Sequence, residues 1–364
     1  MTRIFVQTRR DAHLSSITVG GKLEDVAGIC KERNYSKVAV VSSANTRGFA
    51  GRILSALASK GVPAVPITIE DGEKNKTVAN AVSLLAKLHG AGLDRHSAVV
   101  AVGGGVLGDV SGFAASTYLR GISVVQVPTT LMAMVDSSVG GKTGVNLDAK
   151  NVVGTFHSPD AVMIDFSVLS TLPDDEFRQG LAEIAKAGCI ADPALFSMLE
   201  KERERMLARD EDALSRAVEA ALKVKAAIVE KDPTESHSHE GEVTRMALNL
   251  GHTFAHGIEH ASGYSLRHGD AVSLGIVAAC SVSEKELGLD PGESARIARL
   301  LSSFGLPIRA GGIGAQKVLE KMRQDKKNRA GEINLVLLES IGKTKVVRAV
   351  SERVLLDALR KVAQ

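Results

Sequence analysis

Short apolar runs alternate with helical patterns through the first half of the chain. Four runs have the length of a buried strand and are bounded by serine, glycine or proline: residues 37–41, 62–69, 97–102 and 122–127. Between them, apolar residues recur at helical spacing, from Phe49 to Leu57 and again at Val78, Val82, Leu85 and Leu88. Strands separated by helices of about 10–15 residues are typical of a parallel sheet with right-handed crossovers. The pattern predicts a doubly wound α/β domain.

The pattern changes after Pro173. From Asp174 onward helical periods with charged faces prevail, and the acidic residues 174–176 suit a helix N-terminus. Residues 333–338 are a candidate for one late strand or extended segment. At ~150 residues per domain, the length of the chain favours two domains. We predict an α/β domain over residues 1–172 and a mostly α-helical domain over residues 173–364, with a cleft between them.

The composition is that of a globular protein, with 44% hydrophobic and 24% charged residues. A net charge of +3 argues against a nucleic-acid partner. No run approaches the ~20 apolar residues of a membrane span, and the first residues lack the apolar region of a secretory signal. Cys30, Cys189 and Cys280 lie far apart, which is typical of reduced thiols. These features predict a cytoplasmic protein without a membrane or nucleic-acid partner.

A glycine-rich turn follows the run that ends at Val102. Gly103, Gly105 and Gly108 satisfy G-x-G-x-x-G, and N–H groups at such a helix start can bind a diphosphate. The motif comes after at least two strand–helix units, and no acidic residue follows about 20 positions later to bind a ribose. We predict a nucleotide site of another kind than the ordinary dinucleotide fingerprint. A tight turn that merely needs glycine is the alternative.

A second glycine-rich stretch ends in Gly141-Lys142-Thr143 and looks at first like a Walker A loop. That loop requires a glycine five positions before its second glycine, where this chain has Asp136. We therefore predict no P-loop.

Three histidines lie close together in the second half. His252 and His256 stand at i and i+4, on one face of a helix, and His268 follows. Two imidazoles and a carboxylate form a catalytic zinc site with an open position. Spacing alone favours His252 and His256 as the ligand pair and does not name the carboxylate. A structural role for the histidines is the alternative interpretation.

Several cations stand in apolar surroundings, namely Lys186, Lys225 and Arg245. Singly, each is explained as a solvated charge on a helix. Together they indicate a cleft that binds anions, because lysine and arginine bind carboxylate and phosphate well. Lys326 and Lys327 add positive charge near the C-terminus. The second domain is therefore predicted to bind both a metal and an anionic substrate.

These segments together resemble the 3-dehydroquinate synthase family of the sugar-phosphate cyclases. The similarity extends from about Val19 to Gly342 and is densest in six segments: residues 71–76, 103–121, 127–146, 180–186, 248–256 and 267–269. The combination is more specific than any one motif. The fold that it implies is an N-terminal doubly wound nucleotide-binding α/β domain followed by a mostly α-helical metal-binding domain.

The resemblance implies two cofactors. Glu183, His252 and His268 would bind zinc or cobalt, which leaves His256 to face the substrate. NAD would be bound by Asp71, Gly72, Glu73, Lys74, Asn75, Lys76, Gly105, Val106, Leu107, Gly108, Asp109, Thr129, Thr130, Lys142, Lys150, Val168, Leu169, Ser170 and Thr171.

The resemblance also implies the substrate contacts. These would be Asp136, Lys142, Asn151, Lys186, Lys225, Arg245, Asn249, His256 and either Lys326 or Lys327. Arg120 would reach into the site of a neighbouring subunit, which implies a homodimer.

The implied enzyme is a carbon–oxygen lyase of the shikimate pathway. It would convert 3-deoxy-D-arabino-heptulosonate 7-phosphate to 3-dehydroquinate and phosphate, through transient oxidation by NAD, phosphate elimination, reduction and intramolecular aldol closure. Two departures from the family pattern stand out. Residues 42–45 read Ser-Ser-Ala-Asn where an Asp or Asn is usual for the ribose, and extra residues within 233–244 lengthen a loop.

Three alternatives remain. A sibling cyclase would act on sedoheptulose 7-phosphate or glucose 6-phosphate, which lack the carboxylate that Arg245, Asn249 and Lys186 suit. A metal-dependent alcohol or glycerol dehydrogenase would release NADH as a product. A non-catalytic relative would not need the intact set of metal and lysine residues.

Overall fold

The computed structural model describes residues 14–235, 245–324 and 333–363. In chain order, the elements of the first half are β1 (Ser16–Val19), α1 (Val26–Glu32), β2 (Val38–Ser42), α2 (Arg47–Ser59), β3 (Ala64–Thr68), α3 (Val78–Gly90), β4 (Ala98–Gly103), α4 (Gly105–Thr117), β5 (Ser123–Pro128), β6 (Lys142–Val145), β7 (Val153–Phe156) and β8 (Ala161–Ile164). Six of the strands form one sheet in the order β1-β8-β5-β4-β2-β3, and every neighbouring pair is parallel. β6 and β7 form a separate antiparallel hairpin.

The sheet is covered on both faces, as the doubly wound prediction requires. In β2, Val38 and Val40 pack with α1 and α2, whereas Ala39 and Val41 pack with α3 and α4. Alternate residues of a strand point to opposite faces, so a strand that is apolar throughout must be buried on both. The four predicted strands are confirmed as β2, β3, β4 and β5.

The residues predicted to share the apolar face of α3 are only partly those that meet the sheet. Val82 is 57% exposed, and the face that meets the sheet carries Ala81, Leu84 and Leu88. The helix offers two overlapping apolar stripes, and the stripe with the small side chain of Ala81 lies against the sheet. Packing rather than periodicity selects between such stripes.

The second half is mostly helical, as predicted. Its elements are α5 (Asp174–Ala191), α6 (Pro193–Lys201), α7 (Arg203–Leu207), α8 (Glu211–Lys231), α9 (His252–Ala261), α10 (His268–Glu286), α11 (Pro291–Ser303), α12 (Ala315–Arg323), β9 (Leu335–Ser340), β10 (Lys343–Val347) and α13 (Glu352–Val362). β9 forms the late strand, and it pairs with β10 in an antiparallel hairpin that the sequence did not predict. Across the described residues, none of the helices combines the length and apolarity that crossing a bilayer requires.

The two halves meet at the carboxyl end of the sheet. A π-helical turn at Ala133–Ser137 follows β5 and contacts α4 on one side and α5 and α8 on the other. In open parallel sheets, ligands bind outside the carboxyl ends of the strands, where the chain order reverses. Here the order reverses between β2 and β4, because β2 continues to β3 on one side and β4 to β5 on the other. The architecture therefore predicts a ligand site at this edge of the sheet.

Candidate active site

One carboxylate and two imidazoles converge between the helices of the second half. Ligand atoms of Glu183, His252 and His268 all lie within 4.8 Å of one another. Glu183 Oε1 is 3.6 Å from His252 Nε2 and 3.7 Å from His268 Nε2. Glu183 comes from α5, His252 begins α9 and His268 begins α10, and these helices pack together.

Two glycines allow α9 and α10 to approach closely. Gly251 has φ +75° and directly precedes His252, and a Cβ there would lie 2.7 Å from the Ile276 backbone nitrogen. A Cβ on Gly275 would lie 2.1 Å from the Gly251 carbonyl oxygen. A larger residue at either position would push the helices apart. The glycines thus fix where His252 begins its helix.

The ring orientations of both histidines suit metal binding. His268 Nδ1 lies 3.3 Å from Glu259 Oε1, and His252 Nδ1 lies 3.3 Å from the Leu250 carbonyl oxygen. A ring that donates from Nδ1 presents the lone pair of Nε2 to the metal. Glu183 Oε1 faces both Nε2 atoms and is buried, with no hydrogen-bond partner among the residues that the structure describes. A divalent cation would satisfy this orphaned oxygen, so the residues fit a metal with an open coordination position.

Glu259 was not predicted as a site residue. Burial raises the pKa of its carboxyl, but the hydrogen bond and charge of His268 outweigh burial and lower the pKa to about 2. Glu259 stands seven residues after His252, so the two share a helix face, and this spacing was the available signal.

Glu183, His252 and His268 are called the metal-type group below. His256 lies beside this group but is not part of it. Its ring meets the His252 ring edge-on, with centroids 5.7 Å apart. The His252 and His256 pair that spacing favours is therefore not the pair that meets the carboxylate. His268, from a different helix, takes that place, and spacing within one helix cannot indicate it.

Buried cations adjoin the metal-type group. Lys186 Nζ is 2.5 Å from Glu183 Oε2, and Lys225 Nζ is 2.5 Å from Asp136 Oδ1. Burial raises the pKa of the Asp136 carboxyl, but Lys225 and then Lys186 outweigh burial and hold this pKa below its usual range. Burial lowers the pKa of Lys225, against the opposing effect of Asp136. The cations thus lie in one polar cluster inside the protein.

Arg245 carries a buried charge that meets backbone carbonyl groups. Its side chain donates to the carbonyl oxygens of Pro233, at 2.5 Å, and Gly140, at 2.7 Å. Among the described residues its Nε has no hydrogen-bond partner. Burial lowers the pKa of Arg245, with Glu235 acting in the opposite direction. A buried guanidinium of this kind is suited to an incoming anion.

Glu235 connects two further predicted residues. Its carboxylate lies 2.5 Å from Lys142 Nζ and 3.5 Å from Asn249 Nδ2. Lys142 begins strand β6 rather than a helix, which agrees with the prediction of no P-loop. Glu235 was not predicted as a site residue, although it belongs to the extra residues within 233–244.

The predicted coenzyme residues gather at the carboxyl end of β4. The N-cap residue of α4 is Gly104, which has no side chain to cap the helix, so the first N–H groups of α4 suit a diphosphate. Lys76 Nζ lies 2.6 Å from Asp109 Oδ2 and 2.6 Å from Asn151 Oδ1. Burial raises the pKa of Asp109 to about 6, with Lys76 opposing it. The residues present fit a dinucleotide.

The remaining predicted residues are more scattered. The Thr129 N–H donates to the Gly103 carbonyl, and the Thr130 hydroxyl accepts from the Ala133 N–H. Val168 and Leu169 are core residues, so only their backbone can meet a coenzyme. Lys150 Nζ lies 3.4 Å from Glu259 Oε1. Lys326 and Lys327 lie outside the described residues.

These features define a class of metal-dependent nucleotide enzymes. A parallel-sheet domain has a glycine turn at the start of a helix, and it is joined to a helical domain with a His, His, Glu group. Family profiles described as 3-dehydroquinate synthase N-terminal and C-terminal match residues 66–179 and 180–328. The chain belongs to the 3-dehydroquinate synthase family.

Curated relatives agree with this assignment. The chain is 41% identical over 332 residues to a 3-dehydroquinate synthase of Geobacter metallireducens, covering 90% of this chain and 91% of the relative. It is 47% identical over 294 residues to one from Xylella fastidiosa, covering 78% of each. The agreement thus extends over most of both chains.

Solved structures share the fold. A 2-epi-5-epi-valiolone synthase from Streptomyces hygroscopicus, with NAD⁺ and Zn²⁺ bound, is 26% identical with a TM-score of 0.87, covering 98% of each chain. A 2-deoxy-scyllo-inosose synthase, solved with carbaglucose-6-phosphate, NAD⁺ and Co²⁺, is 22% identical with a TM-score of 0.84, covering 96% of each. The second likeness concerns the fold alone.

Proposed function

We propose that this protein is a 3-dehydroquinate synthase, a carbon–oxygen lyase that converts 3-deoxy-D-arabino-heptulosonate 7-phosphate to 3-dehydroquinate and phosphate. One observation carries the proposal: buried Lys186 contacts Glu183 of the His, His, Glu group, and buried Lys225 and Arg245 both interact with the neighbouring Asp136. Each of these three cations is less than a tenth exposed. A substrate with both a carboxylate and a phosphate repays the burial of several cations, whereas a neutral alcohol does not.

Two cofactors complete the proposed site. Glu183, His252 and His268 would hold zinc or cobalt, which when bound polarises substrate oxygens as a Lewis acid. The uncapped start of α4, together with the cluster of Lys76, Asp109 and Asn151, supports NAD as the coenzyme, which supplies hydride transfer. Residues 42 and 43 are both serine, so this segment offers the ribose hydroxyl groups rather than a carboxylate.

The protein's own side chains bind and orient the substrate. Arg245 and Asn249 are proposed to bind the carboxylate, and Lys142 with Lys326 or Lys327 the phosphate. Lys225 and Lys186 would stabilise negative charge that develops on the sugar oxygens, since both are held in a buried cluster. His256, beside the metal ligands, would exchange a proton with the substrate. Fixed contacts at both ends of the sugar favour a reactive geometry.

The substrate class can be tested by comparing two sugar phosphates. With catalytic NAD and Zn²⁺, the purified protein is expected to release phosphate from the heptulosonate 7-phosphate and to form 3-dehydroquinate. Sedoheptulose 7-phosphate, which lacks the carboxylate, serves as the control and should be a poor substrate. Faster phosphate release from the control would favour a sibling cyclase instead.

Removing the carboxylate behind His268 is expected to weaken metal binding. E259A should lower the affinity for Zn²⁺ about 10–100-fold, because His268 loses the acceptor that orients its ring. E259Q retains an acceptor oxygen and should fall between E259A and the unsubstituted protein. The affinity is measured by competition with a chromogenic chelator. The neighbouring H260A, at an exposed position of the same helix, is the control, and an E259A affinity equal to that of H260A would refute the assignment.

We also propose a homodimer in which Arg120 enters the site of the other subunit. Leu119, Arg120 and Gly121 all have positive φ, and this unusual turn presents Arg120 at the surface. R120A and H268A should each be inactive alone. Mixed under conditions that exchange subunits, they should recover about a quarter of the activity, since half of the dimers are hybrids with one intact site each. No recovery despite proven exchange would contradict a shared site.

Two further assignments complete the proposal. A cytoplasmic location is supported by Cys30, Cys189 and Cys280, which are all buried and unpaired. A domain boundary near residue 172 is supported by the end of the sheet at Ile164 and the start of α5 at Asp174.

A further inference from the structure

The N-terminus of α10, which carries His268, has no cap from its own chain segment. Arg267 occupies the N-cap position without a side-chain hydrogen bond. The first N–H groups of a helix lack partners within the helix, and a buried one requires a partner elsewhere. The Asp270 N–H finds this partner on another helix, at Gln179 Oε1, 3.1 Å away.

Gln179 and Asp270 bind each other reciprocally. Gln179 Nε2 donates to Asp270 Oδ1 at 3.2 Å and to the Asp175 carbonyl at 3.1 Å. The Gln179 side chain is 5% exposed, so water does not replace these bonds easily. All hydrogen-bonding atoms of this amide are thus engaged, and two of its bonds join α5 to α10.

The backbones of α5 and α10 touch at the same place. A Cβ added to Gly269 would lie 2.7 Å from both the Cα and the carbonyl oxygen of Gln179. Nearby, Arg267 pairs with Asp175 across the same two helix starts. The junction therefore leaves little freedom for one helix to slide along the other.

This junction lies next to the metal-type group on both helices. Gln179 stands one helical turn before Glu183, and Asp270 stands two residues after His268. The position of Glu183 Oε1 relative to His268 Nε2 is consequently set by the register of α5 against α10. The Gln179 amide contributes to this register through two directional bonds between the helices.

We propose that Gln179 is a positioning residue for the metal site, which caps α10 from α5 and thereby holds His268 at the Glu183 carboxylate. The proposal rests on the metal site of the proposed function and adds a residue to it. Gln179 is not one of the grouped ligand residues, so its effect must reach the site through helix register.

The pairing can be broken and then restored. Q179E places a carboxylate against the Asp270 carboxylate, whereas D270N keeps an oxygen that accepts from Gln179. In Q179E with D270N, the new amide can donate to the new carboxylate, so the bond between α5 and α10 is rebuilt with reversed polarity, and only the bond to the Asp175 carbonyl within α5 stays lost. The Zn²⁺ affinity of each metal-free protein is measured by chelator competition, and the visible spectrum of its Co²⁺ form reports ligand geometry.

We expect Q179E to lose about tenfold in Zn²⁺ affinity and to change the Co²⁺ spectrum. D270N and the double variant should match the unsubstituted protein in both readouts. If Q179E does not fold, Q179M, which cannot hydrogen-bond, takes its place with the same expected loss. S283A is the matched control, because Ser283 also lies buried in α10 and accepts from the Leu338 N–H.

The outcomes separate this inference from the proposed function. S283A removes a buried hydrogen bond and should lower the melting temperature without changing Zn²⁺ affinity. It thereby shows how the two measurements respond to a loss of stability alone. Normal Zn²⁺ binding by Q179E, or a double variant as weak as Q179E, would overturn the role of Gln179 and leave the metal site intact. Failure of the unsubstituted protein to bind Zn²⁺ would overturn the metal site, and this inference with it.

Discussion

Alanine in place of His268 is expected to abolish stoichiometric metal binding, and alanine in place of His256 is expected to preserve it. His268 Nε2 is one of two imidazole nitrogens that face Glu183 Oε1, whereas the His256 ring borders the His252 ring and does not belong to the group of atoms that meets Glu183. Lewis-acid stabilisation is worth several kcal/mol, so H268A should lose on the order of 10³-fold or more in kcat/KM. Metal content after dialysis and kcat/KM are the two measurements.

H256A supplies the matched control because it removes an imidazole from the same cluster. It should retain one metal per chain and still turn over more slowly, since it removes a proposed proton-exchanging group. Metal loss from H256A with retention by H268A would show that the ligands are those favoured by helix spacing. Glu183 would then need a different explanation for its orphaned oxygen.

The second large effect is expected at Arg245. R245M keeps most of the side-chain volume but removes a buried guanidinium that is proposed to bind the substrate carboxylate. Loss of one partner of a buried charge pair costs about 2–5 kcal/mol, so kcat/KM for the heptulosonate should fall on the order of 10²–10³-fold. Binding of 3-dehydroquinate, which carries the carboxylate, should weaken as well, while binding of inorganic phosphate should not.

Arg296 offers a control that shares the aromatic contact, although it is more exposed than Arg245 and pairs with Glu200. Its guanidinium lies 5.4 Å from the centroid of the Phe196 ring, as that of Arg245 lies 5.6 Å from the centroid of the Phe156 ring. R296M removes an arginine that stacks on an aromatic ring outside the site and should leave kcat/KM unchanged. An R245M enzyme as active as R296M would remove Arg245 from the substrate contacts.

The sheet was largely predictable because burial on both faces gives continuous apolar runs. β2 and β4 are buried at every residue, and both were predicted. β1 lies at an edge, with only alternate residues partly buried, and β6 and β7 each contain a glycine, so none of these three shows such a run. β8 is fully buried but only four residues long. Short strands give too little pattern to distinguish them from loops.

The site was predictable where residue type carries the chemistry. Histidines and lysines in apolar segments indicated a metal and an anion, and the family resemblance indicated which histidines belong together. Glu259 and Gln179 escaped notice because glutamate and glutamine are ordinary on helices. Their importance arises only when α5, α9 and α10 pack, which places one residue at His268 Nδ1 and the other at the start of its helix.

The central claim is that metal, coenzyme and a doubly anionic sugar meet in one pocket and that the coenzyme is regenerated there. The most direct measurement follows phosphate and NADH together, with heptulosonate 7-phosphate in excess over both enzyme and NAD. We expect many phosphates per NAD, no accumulation of NADH, and arrest when a chelator removes the metal. One NADH accumulated for each substrate consumed, or full turnover of the metal-free protein, would contradict this claim.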